Sequence, residues 1–269
     1  MAPILLAPGV CMSRPLPVLV TGATGRTGAL VLEKLLKQPD LFAARGFARS
    51  PRKVEDRFGV SPYFHFGDIK NPADLAPALE ACQALVILTS AIPVMKAPPE
   101  PGQPPEFSYA EGEWPEQVDY QGQVNQIEAA RAAGVNHILL MGSLGGTNDQ
   151  HPLNQMGNGN ILIWKRKAEQ YLQASGIDYT IVRAGGLLDA PGGRRELLAG
   201  KDDQLLNQPP AGVRPVIPRA DVAEILVQAL LLPAARNKAF DVIARPEDDP
   251  DARVTEDFAA FFAQITPGP

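Results

Sequence analysis

Residues 18–32 read VLVTGATGRTGALVL. An apolar run ends at Thr21, glycines follow at positions 22, 25 and 28, and apolar residues then resume at helical spacing. A glycine turn with an apolar strand before it and an amphipathic helix after it reads as a strand–turn–helix unit built around an anion. Gly22 permits the tight turn, Gly25 lets backbone approach a pyrophosphate, and Gly28 lets the helix pack on the strand. The free N–H groups of the helix N-terminus then face the anion, with Thr24, Arg26 and Thr27 around it.

The same rhythm continues outward. Apolar runs at Pro17–Thr21, Ala43–Ala48, Tyr63–Phe66, Leu85–Leu88, His137–Met141 and Tyr179–Arg183 alternate with helical patterns at Thr27–Lys37, Asp74–Ala81, Tyr120–Ala133 and Trp164–Ala174. Parallel neighbours need crossovers, so this alternation predicts an α/β fold: a doubly wound parallel sheet with helices on both faces. Gly134 and Gly176 fall where helices should end. Residues 93–119 are too rich in proline for regular structure, and residues 144–160 form a second long polar loop. Both leave strand ends on the side where open sheets bind ligands, so both are expected to touch one. PRADVAEILVQAL (218–230) reads as a capped amphipathic helix after a short strand. Val213–Ile217 and Asp221–Leu232 are therefore expected to form a small C-terminal cap on the substrate side.

The chain has 269 residues and a formal charge of −5, which argues against a sequence-independent nucleic-acid binder. No apolar stretch reaches the roughly 20 residues needed to span a bilayer. Neither nucleic acid nor membrane is an expected partner; a small-molecule substrate and a monomer or homodimer are. Cys11 and Cys82 have no metal spacing, and the expectation for Cys82, just ahead of an apolar strand, is a buried reduced thiol. No metal is expected. His137 and His151 are expected to be paired or exposed. A reducing compartment follows, with the cytoplasm first and the chloroplast stroma as alternative. Residues 1–15 read as a disordered arm or a transit-peptide remnant, leaving 16–269 as one nucleotide-binding domain.

TGATGRTG (21–28) resembles the TGxxGxxG fingerprint of short-chain dehydrogenase/reductases, in the atypical branch that includes NmrA-like proteins and flavin/biliverdin reductases. FARS (47–50), GDI (67–69), VILTSA (86–91), NQIEAARAAGVNHILLMGS (125–143), KRKAEQYLQASGIDYTIVRAGGL (165–187) and PRADVAEILVQAL are similar to that branch in the expected order. The chain is most similar to a plant and algal subgroup of single-domain NAD(P)-binding proteins. The resemblance implies a Rossmann fold. It also implies a cofactor site using the glycine loop, Asp68 and Ile69 around the adenine, Thr89, Ser90 and Ala91 along the ribose, and Gly185 and Gly186 near the nicotinamide.

NAD-specific sites usually carry an acid at the end of the second strand. Here AARGFARS ends in Arg49, and Arg26 sits in the glycine loop. Guanidinium groups suit a 2′-phosphate, so NADP(H), with NADPH preferred over NADH, is the expected cofactor. The resemblance places the family lysine at Lys165, the serine at Ser143 and the helix asparagine at Asn125. It places the tyrosine position at Ile161. An isoleucine cannot donate a proton. Two readings follow: a reductase of an electron-poor conjugated acceptor that needs no phenol, or a catalytically silent NADP(H) sensor of the NmrA kind. Trp114, Tyr120, Met156 and Trp164 are candidates for lining a flat ligand.

Overall fold

A computed structural model describes residues 14–97 and 105–266; Cys11 and most of the N-terminal arm lie outside these. The strand–turn–helix unit is present as β1 (Leu16–Thr21) and α1 (Arg26–Leu36). The chain continues through β2 (Phe42–Ala48), α2 (Pro51–Phe58), β3 (Phe64–Phe66), α3 (Pro72–Leu79) and β4 (Ala84–Ile87). A small hairpin, β5 (Val94–Met95) and β6 (Phe107–Ser108), precedes a π-helical turn, Glu116–Gln121, and α4 (Gly122–Ala132). Next come β7 (His137–Ser143), α5 (Pro152–Gln155), α6 (Ile161–Ala174), β8 (Asp178–Ala184), β9 (Gly186–Leu188) and β10 (Leu197–Gly200). The last elements are α7 (Gln204–Asn207), β11 (Val216–Pro218), α8 (Arg219–Leu231), β12 (Lys238–Ala244) and α9 (Phe258–Ala263).

Among the described residues the main sheet runs β10-β12-β8-β7-β4-β1-β2-β3, with every pair parallel except β10 on β12. Side chains alternate across a strand, and β1 shows the consequence. Val18 and Val20 join the core under α1, α8 and α9, while Leu19 joins the core under α3, α4 and α6. The strand order reverses at β1, which pairs with β2 through Thr21↔Phe47 and with β4 through Thr21↔Ile87. Such a reversal opens a crevice beyond the strand C-termini, and the glycine loop lies at its mouth. No helix among the described residues is long and apolar enough to cross a membrane.

Four local features differ from the sequence expectation, the first being that residues 93–119, expected to lack regular structure, hold the β5–β6 hairpin and the start of the π-helical turn. Helix α2 forms where no helix was expected: Ser50 accepts from Lys53 N–H at its start, and Pro51 fits its first turn. Residues 144–160 contain α5 and a further short turn instead of an open loop. Helix α8 is not part of a cap. Val222, Ala223, Ile225 and Leu226 are fully buried, and the helix packs along α1 as part of the core. A helix apolar nearly all round belongs in the interior. The Val213–Ile217 part of that expectation does reach the crevice: Pro215 lies there with Gly186 and Leu187 of β9, the strand paired with β11, and Leu206 of α7 joins them.

Candidate functional site

A cleft of about 910 Å³ runs along the strand C-termini. The glycine loop forms one wall for a physical reason. A Cβ on Gly28 would sit 2.1 Å from the Gly22 carbonyl oxygen, and one on Gly22 would sit 2.7 Å from the Leu88 carbonyl. Gly22 also has φ +67°, a conformation that side chains resist. Backbone therefore packs on backbone, and α1 begins just after Gly25 with no side chain capping its N-terminus. That leaves the first-turn N–H groups and the positive end of the helix for an anion. A pyrophosphate fits this cradle.

The structure brings most of the anticipated residues to this cleft. Gly22, Thr24, Gly25, Arg26, Thr27, Gly28, Arg49, Asp68, Ile69, Thr89, Ser90, Ser143, Lys165, Gly185 and Gly186 all border it. Two do not. Ala91 is buried, and its N–H donates to Asp119 Oδ2 at 2.8 Å. The Asn125 side-chain amide donates to the carbonyls of Ile69 (3.1 Å) and Lys70 (3.3 Å). It fixes the turn after β3 instead of facing the cleft, because α4 packs directly beneath that turn. Gly185 and Gly186 have a structural duty as well. Gly186 N–H donates to Pro215 O at 2.8 Å, and a Cβ on Gly185 would lie 2.5 Å from that same oxygen.

The aromatic candidates pack among themselves. Tyr120 and Trp164 pack as tilted rings with centroids 5.6 Å apart, as do Tyr109 and Trp114 at 5.5 Å, and neither Met156 nor any of these rings borders the cleft. His151 does border it, its Nδ1 accepting from Leu153 N–H at 3.2 Å. His137 is buried at the opposite end of the sheet beside Thr180 Oγ1, 2.9 Å away. Burial, aided by the Arg236 charge, pulls its pKa down to about 4. Cys82 is buried as expected, and burial pushes its thiol pKa up.

Several residues that the sequence did not single out organise the site. Asp119, fully buried on the π-helical turn, faces Lys165 Nζ at 2.7 Å. It thus ties Lys165 on α6 to Ala91 beyond β4. π-Helical turns often serve to aim a side chain in this way. Buried Asn154 accepts from Leu162 N–H at 2.9 Å, capping α6 from a distance. Asp203 accepts from Gly145 N–H and Thr147 N–H, both at 2.8 Å, and from the Thr147 hydroxyl at 2.6 Å. Burial alone would raise its pKa, but these donors outweigh it and the carboxyl stays low. Beneath Lys165, Glu169 on the same helix holds Arg183 Nε at 2.8 Å, and Arg183 faces Asp241 at 3.6 Å.

Lys53, Lys70 and Arg219 add cations to the cleft wall. Arg26 pairs with Asp189, which also holds Arg219 Nη1 at 2.8 Å. Lys70 follows GDI directly and was within reach of sequence reasoning. Asp119 was not, because no local pattern links it to a lysine 46 residues on.

These features are those of a nucleotide-binding oxidoreductase fold, and comparison with known proteins agrees. Residues 22–233 match the NAD(P)H-binding family, and the chain belongs to it. It is 54% identical to an uncharacterised chloroplastic protein of Arabidopsis thaliana, over 94% of this chain and 77% of that one. It is 49% identical to sanguinarine reductase of Eschscholzia californica, over 94% of this chain and 97% of that one. Among solved structures, the anaerobillin reductase ChuY of Escherichia coli O157:H7 shares the fold, with TM-score 0.58 and 24% identity over 89% of this chain and all of that one.

Proposed function

We propose that the protein is an NADPH-dependent reductase of a conjugated small-molecule acceptor, working without a tyrosine proton donor. One observation carries the reading. Lys165, anchored by Asp119, shares a cleft with Ser143 and the glycine cradle, while the residue one helical turn earlier is Ile161, which does not border the cleft. The 49% identity to a reductase along nearly its whole length supports it. Met141, Leu144, Leu153, Leu187 and Leu206 give the same cleft an apolar end suited to an uncharged or delocalised ring system.

In this reading the bound cofactor supplies a hydride. The first turn of α1 holds its pyrophosphate, Arg49 and neighbouring cations hold its 2′-phosphate, and Lys165 holds the nicotinamide ribose. Ser143, whose hydroxyl donates to Leu144 O at 3.1 Å, turns to the acceptor. A conjugated acceptor spreads the negative charge it gains, so solvent can supply the proton afterwards and no phenol is required. The apolar walls exclude water from the hydride path. The chloroplast stroma is favoured over the cytoplasm, on the support of the chloroplastic Arabidopsis relative.

Ile161 also supports a second reading, a silent NADP(H) sensor. NADPH oxidation against sanguinarine, quinones, flavins and aldehydes, run beside calorimetric titration of both cofactors, separates the two. Turnover of conjugated acceptors but not simple aldehydes is the expected result. Tight cofactor binding with no turnover on any acceptor would favour the sensor.

A further inference from the structure

At the adenosine end of the cleft, two cations converge on one carboxylate. Glu113 Oε2 accepts from Arg49 Nη1 at 2.5 Å, and Glu113 Oε1 accepts from Lys70 Nζ at 2.5 Å. Arg49 follows β2 and Lys70 follows β3, whereas Glu113 comes from the excursion between β6 and the π-helical turn. All three border the cleft, as does Lys53. Lys70 also donates to Gly112 O at 2.8 Å and lies 3.5 Å from Asp68. The end of β2 is where this fold selects between a ribose hydroxyl and a 2′-phosphate. A single anion bridging cations from two strand ends is the arrangement a phosphate there would have.

We propose that Glu113 is an internal counter-anion that occupies the 2′-phosphate subsite and is exchanged for that phosphate when NADP(H) binds. Glu113 thereby sets how strongly the protein distinguishes NADP(H) from NAD(H). The inference rests on the NADPH reading above and adds the residue that tunes it. Burial would raise the Glu113 pKa, but the bonds from Lys70 and Arg49 outweigh it, so the carboxylate is charged at neutral pH. Its hold on Arg49 is weak, because that guanidinium is 57% exposed and water screens the pair. A phosphate group, near −2, outcompetes a carboxylate for the same cations and repels the carboxylate it replaces. Glu113 directly follows the turn at residues 111–112 and is partly exposed, so its side chain can swing outward toward solvent.

The test is calorimetric titration of the wild-type protein and Glu113→Gln with NADP⁺, NAD⁺, 2′,5′-ADP and 5′-ADP. Glu113→Gln should bind NADP⁺ and 2′,5′-ADP about fivefold to tenfold more tightly, since both ion pairs that compete for Arg49 and Lys70 are gone. NAD⁺ and 5′-ADP, which lack the 2′-phosphate, should change less than about twofold, within the scatter of surface charge effects. Adding Arg49→Met should abolish the gain. Unchanged or weaker NADP⁺ binding by a folded Glu113→Gln variant would overturn the proposal, because Glu113 would then be a buttress for Arg49 and Lys70. Equal tightening toward all four ligands would overturn it too. If the wild-type protein shows no preference for NADP⁺ but Glu113→Gln creates one, the NADPH reading fails while the counter-anion role stands.

Discussion

Lys165 Nζ lies 2.7 Å from Asp119 Oδ1, and Asp119 is fully buried while its other oxygen accepts from Ala91 N–H. The ion pair thus spans from α6 to the end of β4, fixing the ammonium over the cleft.

Removing only the lysine leaves a buried carboxylate without its counter-charge, which typically costs about 3 kcal/mol or more. Lys165→Ala should therefore lose both cofactor affinity and stability. Lys165→Ala/Asp119→Asn should recover most of the stability without recovering the affinity. Denaturant unfolding beside cofactor titration of the two variants checks this. Independent, additive effects on stability would show that the pair is not coupled.

Gly28→Ala should abolish cofactor binding. Its Cβ would lie 2.1 Å from the Gly22 carbonyl oxygen, so α1 must move off β1 and take the first-turn N–H groups with it. Overpacking of this kind costs about 1–3 kcal/mol in stability. Thermal unfolding and titration of the variant measure both effects, and an unchanged affinity would mean that the cradle does not hold the anion.

Arg49→Glu should reduce or invert the preference for NADP(H), which is expected to be at least about tenfold in the natural protein. The substituted acid would face Lys70 and Glu113 at the β2 end, repelling a 2′-phosphate and accepting from a ribose hydroxyl instead. Dissociation constants for both cofactors decide it; equal values in the unmodified protein would remove the basis of the NADPH reading.

His137 makes stability depend on pH. Its folded pKa is about 4, below the usual 6.5, because burial disfavours the charged ring. The unfolded chain therefore binds a proton that the folded chain refuses between these values, and stability falls as pH drops from about 6.5 to 4. Asp241 acts oppositely: burial raises its pKa to about 6, so the folded state takes up its proton first and gains stability as pH falls toward 4. His137→Gln should remove up to about 3 kcal/mol of the acid sensitivity in this window. Urea unfolding from pH 7 to pH 4 gives both slopes, and parallel curves for the two proteins would rule out His137 as the source.

The glycine spacing, the alternation of strands and helices and the absence of an acid after β2 were all legible in the sequence, because each is a local pattern. Local periodicity dictates which face of a strand is buried, and a tight turn with positive φ calls for glycine at Gly22. Helix α2 was missed because its burial is slight, with Val54 its only buried residue, so it lacks an apolar stripe to read. The partners of the site residues were not legible. Asp119 meets Lys165, Glu113 meets Arg49 and Lys70, and Asp203 meets Gly145 and Thr147 only after the chain has crossed the sheet several times. The position of α8 was likewise decided by the fold: its sequence announces an apolar helix, but only α1 and the sheet beneath it supply the surface that buries it. Sequence fixes what a segment prefers to be, through sterics and hydrophobic period; tertiary structure decides which charges meet, because electrostatic pairing depends on distances that the chain acquires only on folding.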